Sequence, residues 1–229
     1  MSIGSASWWR VSYIGCMKRI EISTQDLRKT DAILRQGGVI AFPTETSYGL
    51  GCDPRDARAV RRIFKIKDRD PKKPLLLVAG SWAQVERVAC LSMKVRRFAQ
   101  GYWPGALTLI LPVREEASLV AGVAVKGEVA IRYSSSPIVR RLTRRFGFPI
   151  VATSANISGQ LASRSAKEVC AAGLEVDFVL DGGVLSMRKP STVVRVREDG
   201  EVEVVRVGAI PTIPFIPLIL RGRHEVGRR

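Results

Sequence analysis

The chain has 229 residues, 46% of them hydrophobic and 25% charged, values that suit one folded domain and exclude a largely disordered polypeptide. Lys and Arg number 37 against 21 Asp and Glu, and the net charge of +16 biases the surface toward polyanions such as nucleotides, RNA or anionic lipid. A single histidine, His224, argues against a Ser-His-Asp or Cys-His hydrolase and against a multi-histidine metal site. Four separated cysteines, Cys16, Cys52, Cys90 and Cys170, form no C-x-x-C pair and fit a reduced cytoplasm rather than a disulfide framework. No apolar run of about 18 residues is present to span a membrane as a helix.

In chain order, residues 1–16 read as an N-terminal extension without the compact apolar centre of a signal peptide, and Met17 opens the first regular pattern. From there short β-like runs alternate with amphipathic helical stretches, the signature of a layered α/β domain over 17–210. Strands are expected at 19–22, 38–44, 74–79, 106–113, 129–133, 149–154, 177–180, 191–196 and 202–207. Helices are expected at about 24–36, 56–66, 81–90, 92–102, 137–146 and 163–172. The Asp-Gly of REDGEV (197–202) predicts a hairpin, so the sheet should be mixed. The tail 211–229 spaces Pro211, Pro214 and Pro217 three apart, as an extended arm would.

Charge concentrates in KIKDRDPKK (65–73), immediately before the apolar run of 74–79. The preceding helix should end near Lys67, since Pro71 forbids its continuation, and in an extended segment Lys67 and Arg69 would point the same way. These cations either offset the negative end of the helix or meet a phosphate group, which Lys engages as a point charge and Arg as a fork. Spacing by two recurs in FPTETSYGLGCD (42–53), with Thr44 and Thr46, and in VATSANISG (151–159), with Ser154 and Asn156. Each is either turn chemistry or a ligand contact at the carboxyl end of a strand, and Gly49 and Gly51 would allow close backbone approach to a ligand. Arg132 lies inside the apolar strand VAIRY and needs an anionic partner if buried, whether a fixed acid or a bound carboxylate. Trp103 in YWPG reads as a core anchor, and the arginine pairs at 96–97, 140–141 and 144–145 as solvated helix faces. Neither a P-loop nor a dinucleotide fingerprint occurs.

The ordered stretches FPTETSYGLGCDP, KIKDRDPKKPLLL, YWPGALTLIL, VAIR, VATSANISG, PSTVV and VVRVGAI resemble the YrdC-type threonylcarbamoyl-AMP synthases over residues 20–210. That resemblance implies a mixed, twisted seven-stranded sheet with helices on both faces, in the short single-domain form. It implies a nucleotidyltransferase that joins L-threonine, bicarbonate and ATP into threonylcarbamoyl-AMP and pyrophosphate, for modification of an adenosine beside the tRNA anticodon. ATP would be a substrate, with Mg2+ held mainly through its phosphates and no metal ligand from the protein. The expected partners are the three small substrates and tRNA, reached directly or through other modification proteins, in the cytoplasm and away from membranes. By resemblance Lys67 and Arg69 would be catalytic and bind ATP together with Lys73, Asn156, Ser163 or Ser165, and Arg206. Thr44, Arg132, Ser154 and Ser191 or Thr192 would hold threonine. Two-domain members of the family carry a histidine where this chain has Val78. The competing readings are a non-catalytic binder of double-stranded or transfer RNA, and an enzyme forming a carbamoyl-adenylate from carbamoyl phosphate. Enzymes of the last kind carry cysteine-rich fingers that this sequence lacks.

Overall fold

The computed structural model of the chain describes residues 22–186, 189–197 and 201–211. The expected first strand at 19–22, the extension 1–16, Met17, His224 and the tail beyond Pro211 fall largely or wholly outside these residues. Helix α1 (Thr24–Arg35) starts at a reciprocal cap in which Asp26 N–H donates to Ser23 Oγ and Ser23 N–H donates back to Asp26 Oδ2. Strands β1 (Ile40–Pro43) and β2 (Tyr48–Gly51) follow and pair antiparallel. Helix α2 (Ala57–Lys67) is capped by Asp56 and buries Ala59, Val60, Ile63 and, at its last position, Lys67. Strand β3 (Leu77–Ala79), helices α3 (Trp82–Glu86) and α4 (Met93–Gln100), and strands β4 (Leu107–Pro112), β5 (Ala124–Val125) and β6 (Glu128–Tyr133) come next. Helix α5 (Pro137–Phe146) begins on a Ser136 cap with proline in its first turn and stops at Gly147, whose φ of 81° suits glycine. Strands β7 (Ile150–Val151) and β8 (Thr153–Ser154), helix α6 (Ala166–Ala171), and strands β9 (Phe178–Val179), β10 (Thr192–Val196) and β11 (Val202–Arg206) complete the described chain.

Each of the six expected helices has its counterpart. The seven-stranded sheet runs β11-β10-β4-β6-β3-β7, with β5 added beside β6. It is mixed: β10 with β4 and β3 with β6 are parallel, the other pairs antiparallel. A second, four-stranded sheet, β8-β2-β1-β9, is an addition to the expected architecture. The run read as one strand at 149–154 is divided at Ala152: β7 joins β3 in the large sheet and β8 joins β2 in the small one. At this crossing a Cβ on Gly51 would stand 2.6 Å from the Phe42 ring and 2.7 Å from the Val151 carbonyl. Gly51 therefore lets the two sheets approach each other, and close approach to a ligand is not what demands it.

The core is continuous, with Phe42, Tyr48, Leu50, Ile63, Leu77, Leu109 and Ile131 fully buried. Trp103 is the expected core anchor, its Nε1–H donating to the Leu107 carbonyl at 2.7 Å. The turn residues 198–200 of the expected hairpin are not described, but β10 and β11 on either side of them pair antiparallel as it requires.

Candidate active site

The stripe that buries α2 runs through Val60 and Ile63 to Lys67, one turn further on, so the helix drives a lysine into the interior with only 1% of its surface exposed. Its ammonium donates to three oxygens: Ser154 O at 2.5 Å, Asn156 O at 2.8 Å and Asn156 Oδ1 at 2.9 Å. Ser154 Oγ donates to the same Asn156 Oδ1 at 2.6 Å, and Asn156 Nδ2 donates to the Gln160 carbonyl at 2.6 Å. Ser158 N–H donates to the Lys67 carbonyl at 2.7 Å, closing the contact between the helix end and the 154–158 loop. The pairing expected within residues 154–156 and the lysine of 65–73 thus form one network.

The convergence of Lys67 and Arg69 has a different cause from the one the sequence predicts. Lys67 is still helical, Asp68 takes a left-handed φ of 47°, and Arg69 turns back so that Nε and Nη2 donate to the Lys73 and Pro74 carbonyls at 3.0 and 3.1 Å. Lys73 itself is exposed.

A second group forms around Arg132, 4% exposed on β6. Residues 44–47 leave β1 as a turn in which Thr44 Oγ1 accepts from Thr46 N–H and lies 3.0 Å from Thr46 Oγ1. Thr46 Oγ1 in turn accepts from Arg132 Nη1 at 3.4 Å. Glu45 and Ser134, two residues that no spacing in the sequence singles out, complete the group: Ser134 Oγ donates to Glu45 Oε2 at 2.5 Å, and Glu45 Oε1 stands 3.6 Å from Arg132 Nε. Both Glu45 Oε1 and Arg132 Nε are buried without a hydrogen bond among the described residues. Val78 is the register neighbour of Arg132 across the β3–β6 pair and is fully buried.

On β11, Arg206 Nη2 donates to Ser191 O at 2.8 Å and to Ser191 Oγ at 3.3 Å, while Ser191 Oγ lies 2.8 Å from Thr108 Oγ1. Thr192 faces elsewhere. Its hydroxyl donates to the Ile210 carbonyl and accepts from Gly208 and Ile210 N–H, bracing the segment that follows β11. Ser163 Oγ donates to the Ala155 carbonyl at 2.7 Å behind the 154–158 loop, and Ser165 caps α6 by accepting from Glu168 N–H.

The cations from these three places sense one another. Burial, then Arg69, pushes the Lys67 ammonium down to about 8, against the pull of its three acceptors. Arg206 keeps much of its surface exposed on β11, and partial burial lowers it, with Arg132 and Arg69 lowering it further. Burial lowers Arg69 with Asp70 opposing, and lowers Arg132 with Glu45 opposing. Lys67, Arg69, Arg132 and Arg206 are therefore one region of concentrated positive charge. An anion relieves both their desolvation and their repulsion. No group of three or more His, Cys, Asp or Glu side chains able to hold a metal occurs among the described residues, and no helix among them is long and apolar enough to cross a membrane. A magnesium ion would fit this donor set only if carried in on the oxygens of a phosphate ligand.

Fold and site together define an α/β domain built around a cationic cluster. Residues 32–208 match the model of the Sua5, YciO and YrdC family, whose description is telomere recombination. A threonylcarbamoyl-AMP synthase of Chromohalobacter salexigens is 40% identical over 166 residues, covering 71% of this chain and 88% of that protein. Among solved structures, Sua5 of P. abyssi complexed with L-threonine superposes with a TM-score of 0.73 at 34% identity, over 83% of this chain but only 56% of its own. E. coli YciO superposes with a TM-score of 0.75 at 28% identity, over 85% of this chain and 94% of its own. The chain belongs to the Sua5, YciO and YrdC family.

Proposed function

We propose that this chain is an L-threonylcarbamoyladenylate synthase. The amine of L-threonine adds to bicarbonate, giving a carbamate and water; a carbamate oxygen then attacks the α-phosphorus of ATP, and pyrophosphate leaves. The product would pass its threonylcarbamoyl group to an adenosine beside the tRNA anticodon in the cytoplasm, through partner modification proteins or by direct contact with tRNA.

The observation that carries this reading is the convergence of Lys67, Arg69, Arg132 and Arg206 from three separate parts of the chain into one electrostatically linked cluster. The reaction brings together a triphosphate, a carbamate and an amino-acid carboxylate, so its main demands are positioning and neutralisation of negative charge. Lys67, Arg69 and Arg206, with Lys73 at the rim and the Asn156 amide beside them, form the triphosphate side; of the two candidate serines, Ser163 lies nearer this network through Ala155. Arg132, with Thr46 against it and Thr44 beside Thr46, forms the amino-acid side, where its guanidinium matches the threonine carboxylate; Ser154, beside Lys67 and Asn156, and Ser191, beside Arg206, would reach threonine from the triphosphate side. Mg2+ bound to the phosphates would supply further charge neutralisation at the departing pyrophosphate.

The test is pyrophosphate release measured with ATP, L-threonine and bicarbonate together and with each omitted. Wild-type protein should release it only when all three are present, and Lys67→Ala and Arg69→Ala should abolish release while remaining folded. Unchanged turnover in both variants, or RNA binding of steep salt dependence with no turnover in the wild type, would overturn the reading.

A further inference from the structure

Arg132 is a buried cation with little to hold it. One long hydrogen bond from Nη1 reaches Thr46, Nε faces the Glu45 carboxylate at 3.6 Å without bonding it, and Nη2 has no hydrogen-bond acceptor among the described residues. Glu45 is fixed from its far side, by the short bond from Ser134 Oγ to Oε2. With side-chain exposures of 5% and 9%, the pair is shielded from water on the side where Nε and Oε1 meet, so a ligand reaches the guanidinium from its Nη edge.

We infer that Glu45 is a positioning residue for the amino-acid substrate: braced by Ser134, its carboxylate holds the Arg132 guanidinium from behind, at Nε, and leaves the Nη edge to take the substrate's carboxylate. The inference rests on the proposed function and deepens it.

A guanidinium lowered by burial and set among neighbouring cations needs a fixed counter-charge to stay in one orientation while the site is empty. A carboxylate at Nε supplies that charge without occupying the edge that forms paired bonds to a planar anion. The distance of 3.6 Å, beyond a hydrogen bond, keeps the arginine's donors from being spent on Glu45. Two strands that are not neighbours in either sheet are tied together by this contact, since Glu45 follows β1 and Arg132 lies near the end of β6 with Ser134 just beyond it. Orientation of Arg132 thus reports the docking of the small sheet against the large one.

The test compares L-threonine with L-threoninamide, which lacks the carboxylate, by calorimetric binding to wild-type, Glu45→Gln and Ser134→Ala proteins, with ATP affinity and melting temperature measured alongside. Wild-type protein should prefer threonine to the amide. In Glu45→Gln threonine affinity should fall on the order of tenfold or more through lost orientation, amide affinity should hold, and ATP affinity should stay within about twofold. Ser134→Ala should lose part of the same preference and carries the test if Glu45→Gln does not fold. Equal weakening of both ligands, as a merely structural role predicts, overturns the inference, as does an unchanged preference. Failure of wild-type protein to bind threonine removes the proposed function and this inference with it; threonine binding with an unaltered preference in both variants removes only the inference.

Discussion

Lys67 and Arg132 are both buried cations, at 1% and 4% exposure, yet their surroundings are opposites. Lys67 spends its three N–H donors on Ser154 and Asn156, so its charge is held by oxygens of the fold itself. Arg132, with five donors, makes one hydrogen bond of 3.4 Å to the described residues. A saturated buried cation is part of the scaffold, and its field reaches a ligand without its donors having to move. An undersaturated one costs stability in the empty protein and is retained where an incoming anion completes it. Under the proposed function the two walls of the cluster would divide the work: one is finished before the ligand arrives, the other would be finished by it.

The largest effect expected from this contrast is at Lys67. Lys67→Ala removes charge from the triphosphate side and orphans three acceptors, so turnover should fall by about a thousandfold or more. The melting temperature should also drop, corresponding to roughly 1–3 kcal/mol for leaving buried acceptors without their donor. Stopped turnover with unaltered stability would show that the three oxygens do not depend on the lysine. Arg132 should behave the other way when its counter-charge is removed with it: the double variant Arg132→Met/Glu45→Gln should be as stable as the wild type or more so while losing threonine-dependent turnover. Denaturant titration beside the pyrophosphate assay reads both outcomes, and a large stability loss in the double variant would erase the contrast.

Protonation sharpens the same comparison. Because the Lys67 ammonium is pushed down to about 8, ATP affinity should weaken as pH rises through that value, an effect absent from Lys67→Ala. In the ligand-free protein the sign reverses. Between about 8 and the ordinary lysine value of 10.5 the unfolded chain holds a proton that the folded one has released, so this group makes stability rise with pH across the window. Arg69→Ala removes one of the two causes and should move the ATP midpoint upward, measured by calorimetry over a pH series. The smallest effect expected is at Ser165. Ser165→Ala should cost roughly 1 kcal/mol through loss of the α6 cap. A loss of ATP affinity there would extend the triphosphate side to this serine, whereas a loss of stability alone would leave it a cap.

The charge run 65–73 makes Lys67 legible as a candidate, but its burial comes from the 3.6-residue period of α2 that carries Val60 and Ile63 to it, and not from the extended spacing with Arg69 that the sequence suggests. Arg132 is legible because an arginine inside an apolar strand demands an explanation. Glu45 escapes for a physical reason. In an extended strand it would point away from Thr44 and Thr46, but β1 ends at Pro43 and the chain turns through 44–47, bringing the carboxylate round to Arg132. The small sheet escapes for another. Its second strand, YGLG, has the composition of a loop, and the alternation of apolar residues over 149–154 says that the backbone is extended but not that its two halves pair with different sheets. Contacts between distant segments decide both features, and periodicity carries no trace of such contacts.

If Lys67, Arg69 and Arg206 act together on a triphosphate, as proposed, the ratio of ATP to AMP affinity in the wild type and in Arg69→Ala and Arg206→Ala, by calorimetry in magnesium, reads it most directly. ATP should bind wild-type protein about a hundredfold or more tighter than AMP, a gain that charge-assisted contacts to the added phosphates supply. Each variant should lose much of that ratio while AMP affinity stays nearly constant. Equal affinity for ATP and AMP in the wild type, or a ratio untouched by both substitutions, would contradict it.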